Sequence, residues 1–470
     1  VDSIDLSPEE FERLSQEILA IATRYLRELD GRSITPQESG IALEELYHSP
    51  LPELGLGAET VHRLAEVVRH SRAQNGRFFG YVLGSGDPAA AATEVLCSVL
   101  NQNVTAWRSS PAAATIERTL VSWLAQAIGC AGFQGTLTGG GSSANLMALA
   151  MAREALAPAN ERGLRSGKRI VIYASSEVHM SITKAIALLG IGRENIRRIA
   201  VDGSFRMIPA ELARAMDEDC AHQIAPVVVA TAGTVNTGAI DPLPYIARIA
   251  TNYGAWFHVD GAYGALAAIA VPEKFPGLQL ADSISLDPHK WLYQPLDCGC
   301  LLYRDRAAAR RAFSDSQDYV RPFSDDPIES YAVFEESMDL SRRFRGLKVW
   351  FSMLYHGFAK LRQSIQKDLR HAQRLAEAIQ CEPALEIRAP VELSAVCFRY
   401  IGDRKLADPQ LNVLNAAILK RIIARGRIYL SNATLESRFC LRACIVNHRS
   451  KDADIDRVTS EVLAAAQDTL

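Results

Sequence analysis

No stretch of the 470-residue sequence is both long and apolar enough to span a bilayer, and "VDSIDLSPEEFERL" has no cationic start followed by an apolar run. Membrane insertion and secretion are therefore not expected. Basic runs with interleaved aromatics are missing too, and 51 basic against 54 acidic residues leave a formal charge of -3. Nothing here tracks a phosphate backbone, so nucleic acid is not an expected partner. Cysteine is sparse and scattered. Its closest pairs, Cys298/Cys300 and Cys440/Cys444, have no matching Cys or His pair at zinc-finger spacing. No metal is expected, and nine free thiols fit a reducing cytoplasm. Internal repeats and low-complexity tracts are also absent.

What is present is a large globular composition, 48% hydrophobic and 22% charged, sufficient for more than one domain. Ser7, Pro8 and Glu10 form a helix-start signature. Phe11, Leu14, Ile18, Ile21 and Tyr25 then recur at three- and four-residue steps, which predicts an amphipathic helix. A second helix is predicted over Gly57 to Ser71. "NGRFFGYVLGSGDP", Asn75 to Pro88, is too rich in Gly and aromatics for a plain helix and reads as a boundary loop.

From there to about Tyr303, β-branched runs alternate with helical ones: "KRIVIYAS" with "SITKAIALLG", "APVVVATAG" with "LPYIARIATNYG", "AWFHVDGAYG" with "ADSISLDPHKW". Such alternation predicts an α/β fold, a mainly parallel central sheet with helices on both faces and ligands at the carboxyl ends of its strands. "AVCFRYI" and "FCLRACIV" read as strands of a smaller C-terminal α/β domain. The expected division is an N-terminal helical segment 1–87, a large domain 88–345 and a small domain 346–470.

Four features fall at the ends of these elements. In "TLTGGGSSANL" a strand runs through Gly139, Gly140 and Gly141 into Ser142 and a helix, a backbone that can cradle a phosphate but also serves as a plain tight turn. His179 opens the helix after "RIVIYA", where a capping or core role is the commoner one. Asp260 ends the apolar strand "WFHVD" and must be paired or hydrogen-bonded there. Lys290 follows a strand beside Trp291, either as an ordinary loop lysine or as an amine made nucleophilic by burial. One cofactor requires all four groups. Pyridoxal 5'-phosphate needs an amine for its aldehyde, an anion beside its pyridine nitrogen, a flat partner for its ring and a helix start for its phosphate.

The motifs "SSPAAATIERTLVSWLA", "TGGGSSANLMAL", "HVDGAYG", "ADSISLDPHKWL" and "SRRFRGLKVW" together resemble the group II pyridoxal-phosphate-dependent amino-acid decarboxylases, which include the aromatic-L-amino-acid, histidine and glutamate enzymes. The resemblance implies fold type I and an intertwined homodimer with the N-terminal helices packed on the partner. It places the cofactor-bearing lysine at Lys290, the pyridinium aspartate at Asp260 and the ring-stacking histidine at His179. The phosphate loop falls on Gly141 and Ser142 with His289 nearby, and Thr234 remains from a threonine pair whose second member is here Val235. A loop tyrosine that protonates the product carbon falls on Tyr319. Asp287 stands where several relatives have asparagine, and an acid beside a phosphate needs a neutralising partner. The implied reaction is α-decarboxylation of an L-amino acid to its amine. Phe78, Phe79, Tyr81 and Trp107 lie in segments that the resemblance puts around the substrate, and an aromatic substrate is favoured narrowly over a polar or basic one, because "NQNVTAW" is comparatively polar. An aminotransferase, a carbon–carbon lyase, an aldehyde-forming enzyme and a catalytically idle cofactor-binding interaction protein remain alternatives.

Overall fold

The computed structural model describes residues 4–164, 168–220, 222–315, 326, 328–402 and 406–470. The central sheet has seven strands: β1 Gln134–Thr138, β2 Arg169–Ser175, β3 Ile196–Ile199, β4 Ile224–Thr231, β5 Trp256–Asp260, β6 Ser283–Leu286 and β7 Gly299–Tyr303. Their order is β1-β7-β6-β5-β4-β2-β3. All neighbours are parallel except β7, which runs antiparallel to both β6 and β1. The parallel sheet expected from the alternating pattern is thus present, with one reversed strand inserted near its edge.

Strand periodicity explains why these runs look uniformly apolar. Successive side chains point to opposite faces, and both faces are covered. Ile170, Ile172, Ala174, Val227 and Val229 pack with Ala144, Met147, Ala148 and Met151 of the helix Gly141–Leu156. The intervening Val171, Tyr173, Val228 and Ala230 face the other way, into a core shared with Leu120 and Leu124 of the helix Pro111–Ala127. Register then aligns the carboxyl ends. Thr231 is paired with Asp260, and Asp260 with Ser285, so three polar residues lie side by side at one edge of a buried sheet.

A second, antiparallel sheet contains β8 Leu385–Ile387, β9 Ala395–Tyr400, β10 Ser431–Leu435 and β11 Arg438–Cys444 in the order β10-β11-β9-β8. It packs on helices Asp408–Arg425 and Asp452–Gln467. The long helix Phe358–Gln380 joins the two cores: Leu361 and Ile365 belong to the large one, Leu375 and Ile379 to the small one.

At the N-terminus, helix Pro8–Glu28 starts with the expected capping box. The Glu10 N–H donates to Ser7 Oγ (3.1 Å) and the Ser7 N–H donates to Glu10 Oε2 (2.9 Å). None of its residues is buried. A short helix not expected from the sequence, Gly40–Tyr47, comes next; the helix expected over Gly57 to Ser71 spans Thr60–His70 after a single 3-10 turn, and residues 75–87 form a loop that touches Tyr429 through a one-residue bridge at Phe78.

The most deeply buried ion pair among the described residues links segments far apart in sequence. Arg342 Nη2 lies 2.6 Å from Glu117 Oε1 and also donates to Thr136 Oγ1 and the Leu137 carbonyl, both at 2.8 Å. Its Nη1 donates to the Val104 carbonyl (2.7 Å). Removing one partner of such a pair leaves an uncompensated buried charge, at a cost of about 3–5 kcal/mol. Arg342→Ala is therefore expected to lower the urea midpoint of the large domain strongly, read by tryptophan fluorescence. A midpoint equal to the parent's would show that Glu117 is satisfied without Arg342.

Candidate active site

Five strand ends and the loops after them converge on one cavity of about 280 Å³. β1 delivers the turn Gly139–Gly140 and the helix start at Gly141 and Ser142, β2 delivers His179, and β4 delivers Thr231, Gly233 and Val235. β5 ends in Asp260, and β6 leads into Asp287, His289 and Lys290. The close approach at Gly141 requires glycine: a Cβ there would meet the Ala262 Cβ at 2.6 Å and Asp287 Oδ2 at 3.0 Å. Free backbone N–H groups at the start of this 16-residue helix face the cavity with the hydroxyl of Ser142 beside them.

Asp260 is 4% exposed, and three donors hold its carboxylate. Asn145 Nδ2 donates to Oδ2 (3.0 Å), while Ser285 Oγ (3.0 Å) and the Ala262 N–H (3.2 Å) donate to Oδ1. His179 caps the helix Met180–Leu188, and its Nδ1 accepts from the Ser181 N–H (3.3 Å). Burial lowers the pKa of His179, with Asp260 opposing the shift. The ring is therefore a neutral, flat face turned to the cavity.

Lys290 differs from the apolar setting expected for it. Its Nζ lies 2.9 Å from Asp287 Oδ2, with His289 Nε2 3.6 Å from the same oxygen. The acid that stands out in "SLDPHKW" thus has a neutralising partner in Lys290. His289 Nδ1 donates to the Cys298 carbonyl (2.6 Å), and burial lowers the pKa of that imidazole as well. Trp291, fully buried, stacks on Tyr263 at 6.0 Å with the rings 6° from parallel, which fixes the turn that carries the lysine.

Other sequence expectations land elsewhere. Thr234 is buried, but its Oγ1 is engaged with Thr237 Oγ1 (2.9 Å) and accepts from the Ala239 N–H (3.1 Å), inside its own loop, while its neighbours Gly233 and Val235 line the cavity. Phe79 is a core residue of the small domain, fully buried with Val396, Phe398 and Leu441. Tyr81 is half exposed and its hydroxyl lies 3.0 Å from that of Tyr429. Trp107 packs at the edge of a cluster containing Val104, Phe344 and Leu347. None of Phe79, Tyr81 and Trp107 lines the cavity of this single chain among the described residues. Tyr319 lies outside the described residues.

Asn145, Thr231, Ser181, Ser285 and His258 were not singled out from sequence. The one available signal was alternation: "HVD" and "SIS" place His258 with Asp260, and Ser283 with Ser285, on common strand faces.

A family model described as "Pyridoxal-dependent decarboxylase conserved domain" matches residues 44–401. The chain belongs to this family. It is 30% identical over 475 residues to the aromatic-L-amino-acid decarboxylase of Bacillus atrophaeus, covering 99% of this chain and 98% of that one. It is also 30% identical to the phenylacetaldehyde synthase of Petunia hybrida, over 94% of this chain and 91% of that one. Among solved structures, the Oryza sativa TDC with PLP and tryptamine superposes with a TM-score of 0.92 at 26% identity, covering 99% of both chains. The protein is a pyridoxal-phosphate-dependent amino-acid decarboxylase of fold type I.

The cavity fits the cofactor on its own chemistry. It offers an amine, a carboxylate held by three donors, a neutral imidazole and a helix start. Two of its lining residues each carry a buried oxygen, Thr231 Oγ1 and Asp287 Oδ1, with no hydrogen-bond partner among the described residues. Buried polar atoms left unpaired in this way are unfavourable until a ligand satisfies them.

Proposed function

We propose that the chain decarboxylates an aromatic L-amino acid at Cα, yielding the amine and carbon dioxide. The observation that carries this reading is the convergence of Lys290, Asp260, His179 and the Gly141–Ser142 helix start on one cavity. Bound there, pyridoxal 5'-phosphate supplies an electron sink for the bond pair that carbon dioxide leaves behind. Lys290 would hold the cofactor through its side-chain amine. Asp260, its charge fixed by Asn145, Ser285 and Ala262, keeps the proton on the ring nitrogen. His179 supports the ring face, and Gly141, Ser142 and His289 receive the phosphate. Asp287 is the counter-ion of Lys290. Tyr319 returns a proton to Cα once carbon dioxide has gone.

Support for an aromatic substrate comes from the relatives and from the rings beside the boundary loop. Phe78 stacks on Tyr429 at 5.0 Å, and Tyr81 lies 5.9 Å from the same ring. The chain acts in the cytoplasm as a homodimer in which segment 1–87 covers the partner. In keeping with that, Phe11 and Ile18 of the first helix are each 42% exposed, and Val95, Leu96 and Val99 of the helix Pro88–Leu100 project outward together. All nine cysteines are unpaired, as a reducing compartment requires.

A second reading, an aldehyde synthase, is favoured by the Petunia hybrida relative, and the two readings differ only in what reaches Cα after carbon dioxide leaves.

Three measurements test the proposal. Lys290→Ala abolishes both turnover and the covalent label that borohydride fixes between cofactor and protein; a label at the parent level would remove Lys290 from its role. Tyr319→Phe folds, binds the cofactor and releases carbon dioxide, but in air its product shifts from amine towards aldehyde, ammonia and hydrogen peroxide. Amine and aldehyde are quantified side by side for aromatic, polar and basic L-amino acids, and amine alone at the parent rate would make Tyr319 a spectator. Light scattering gives twice the chain mass for the parent and a smaller value for a Phe11→Asp, Ile18→Asp variant; a parent of single-chain mass would refute the dimer.

A further inference from the structure

Two ionisable side chains lie against the glycine turn of the cavity. A Cβ on Gly140 would stand 3.5 Å from His289 Cε1 and 3.9 Å from Asp287 Oδ1, and one on Gly141 would stand 3.0 Å from Asp287 Oδ2. Asp287 and His289 are both buried, and both line the cavity with the Gly141–Ser142 helix start. A backbone shaped to receive an anion is thus backed by another anion.

Each ring nitrogen of His289 faces an acceptor. Nδ1 is 2.6 Å from the Cys298 carbonyl, and Nε2 is 3.6 Å from Asp287 Oδ2. A carbonyl can only accept, so the proton of a neutral ring lies on Nδ1, the Cys298 N–H at 3.4 Å being the longer contact. Nε2 then turns a lone pair towards a carboxylate, and a second proton there would make that contact attractive as well. Burial opposes the second proton and lowers the His289 pKa; Asp287 and Asp297 raise it, and Lys290 lowers it further. The other groups near Asp287 are Lys290, whose Nζ is 2.9 Å from Oδ2, His179, held low by burial, and the thiols of Cys298 and Cys300 on β7, both raised by burial. Asp297 is itself paired with Arg345 and Arg343. Asp287 Oδ1 has no hydrogen-bond partner among the described residues.

We propose that binding of a dianion at the Gly141–Ser142 helix start draws one proton from solvent onto His289 Nε2, and that the charge of Asp287 is what makes this uptake possible. A dianion seated beside Asp287 and a neutral His289 adds negative charge to a buried site whose adjacent ammonium, Lys290, is needed for the cofactor. A proton held between the two anions offsets that charge. The ring takes it, because an ordinary imidazole is more basic than an ordinary aspartate by about 2.6 pH units. The imidazolium then donates from Nδ1 to the Cys298 carbonyl and from Nε2 towards the anions. Asparagine in place of Asp287 would remove the neighbouring charge that favours the second proton.

The proposal rests on the reading of this turn as the seat of the cofactor's phosphate, and its test reads a ring proton rather than turnover. Sulfate is the probe, since it remains a dianion at every pH used and forms no bond with Lys290. The full chain, freed of cofactor and labelled with nitrogen-15 histidine, is titrated with sulfate at constant ionic strength between pH 6.5 and pH 8.5, values set by the ordinary imidazole range of about 6.5 upwards. His289 is assigned with His289→Gln. In the parent, His289 is neutral without sulfate and doubly protonated with it, and sulfate affinity falls about tenfold per pH unit, the slope of one linked proton. Pyridoxal 5'-phosphate produces the same change in the ring. In Asp287→Asn, sulfate binds with His289 neutral and with an affinity independent of pH. A parent His289 that stays neutral with sulfate bound overturns the proposal without any variant, and so covers a substitution that fails to fold. An Asp287→Asn chain with the parent's slope and an imidazolium overturns it too, by removing Asp287 from the uptake. Sulfate that does not compete with pyridoxal 5'-phosphate for borohydride labelling overturns the phosphate seat together with the proposal, whereas sulfate that competes and leaves the ring neutral overturns the proton uptake alone.

Discussion

A carboxylate confined at the end of a fully buried strand is the constraint on which the site depends. Asp260 is one of three polar residues that register brings together at the carboxyl edge of the sheet, and an anion with so little exposure is tolerable only with donors around it. Asn145, Ser285 and the Ala262 N–H meet that demand from the helix behind, the neighbouring strand and its own loop. A set of donors drawn from three directions fixes the carboxylate and leaves its charge directed at the cavity. The network extends outward from there, with the Asn145 oxygen 3.0 Å from His258 Nε2.

The opposite charge is managed differently. Lys290 is carried on a short turn clamped from behind by the stacked Trp291 and Tyr263. Its amine is paired with Asp287 rather than lodged among apolar groups. Asp287 therefore holds the lysine amine, while its Oδ1 is buried with no hydrogen-bond partner among the described residues. His289 Nε2 lies 3.6 Å from the same carboxylate oxygen, so Asp287, His289 and Lys290 come together within one turn.

Around this centre the chain is unevenly finished. The two cores are closed and joined by the helix Phe358–Gln380, whereas the first helix buries nothing and the helix Pro88–Leu100 turns several large apolar side chains outward. Apolar surface of this kind is normally covered by another chain. The rings of Phe78 and Tyr81 in the loop 75–87 gather with that of Tyr429, and none of the three lines the cavity of this single chain.

The sequence alone determined the architecture and the cofactor, and it singled out residues that the structure gathers in one cavity. Alternating β-branched and helical runs can be buried only as a sheet covered on both faces, and an amine, an acid, an imidazole and a glycine turn at strand ends suit one cofactor. The capping box at Ser7 and the boundary loop at 75–87 were equally legible, because both are local. The reversal of β7, the withdrawal of Thr234 into its own loop and of Phe79 into the small core, and the pairing of Lys290 with Asp287 were decided by tertiary structure. So was the polar chain that runs by hydrogen bonds from Trp256 through Ser283, His258, Asn145 and Ser181 to His179, whose members are up to 138 positions apart and look in sequence like ordinary serines, an asparagine and a core histidine. Such a network has no sequence period, since each bond depends on which strands are adjacent and on which end of an amide meets a lone pair.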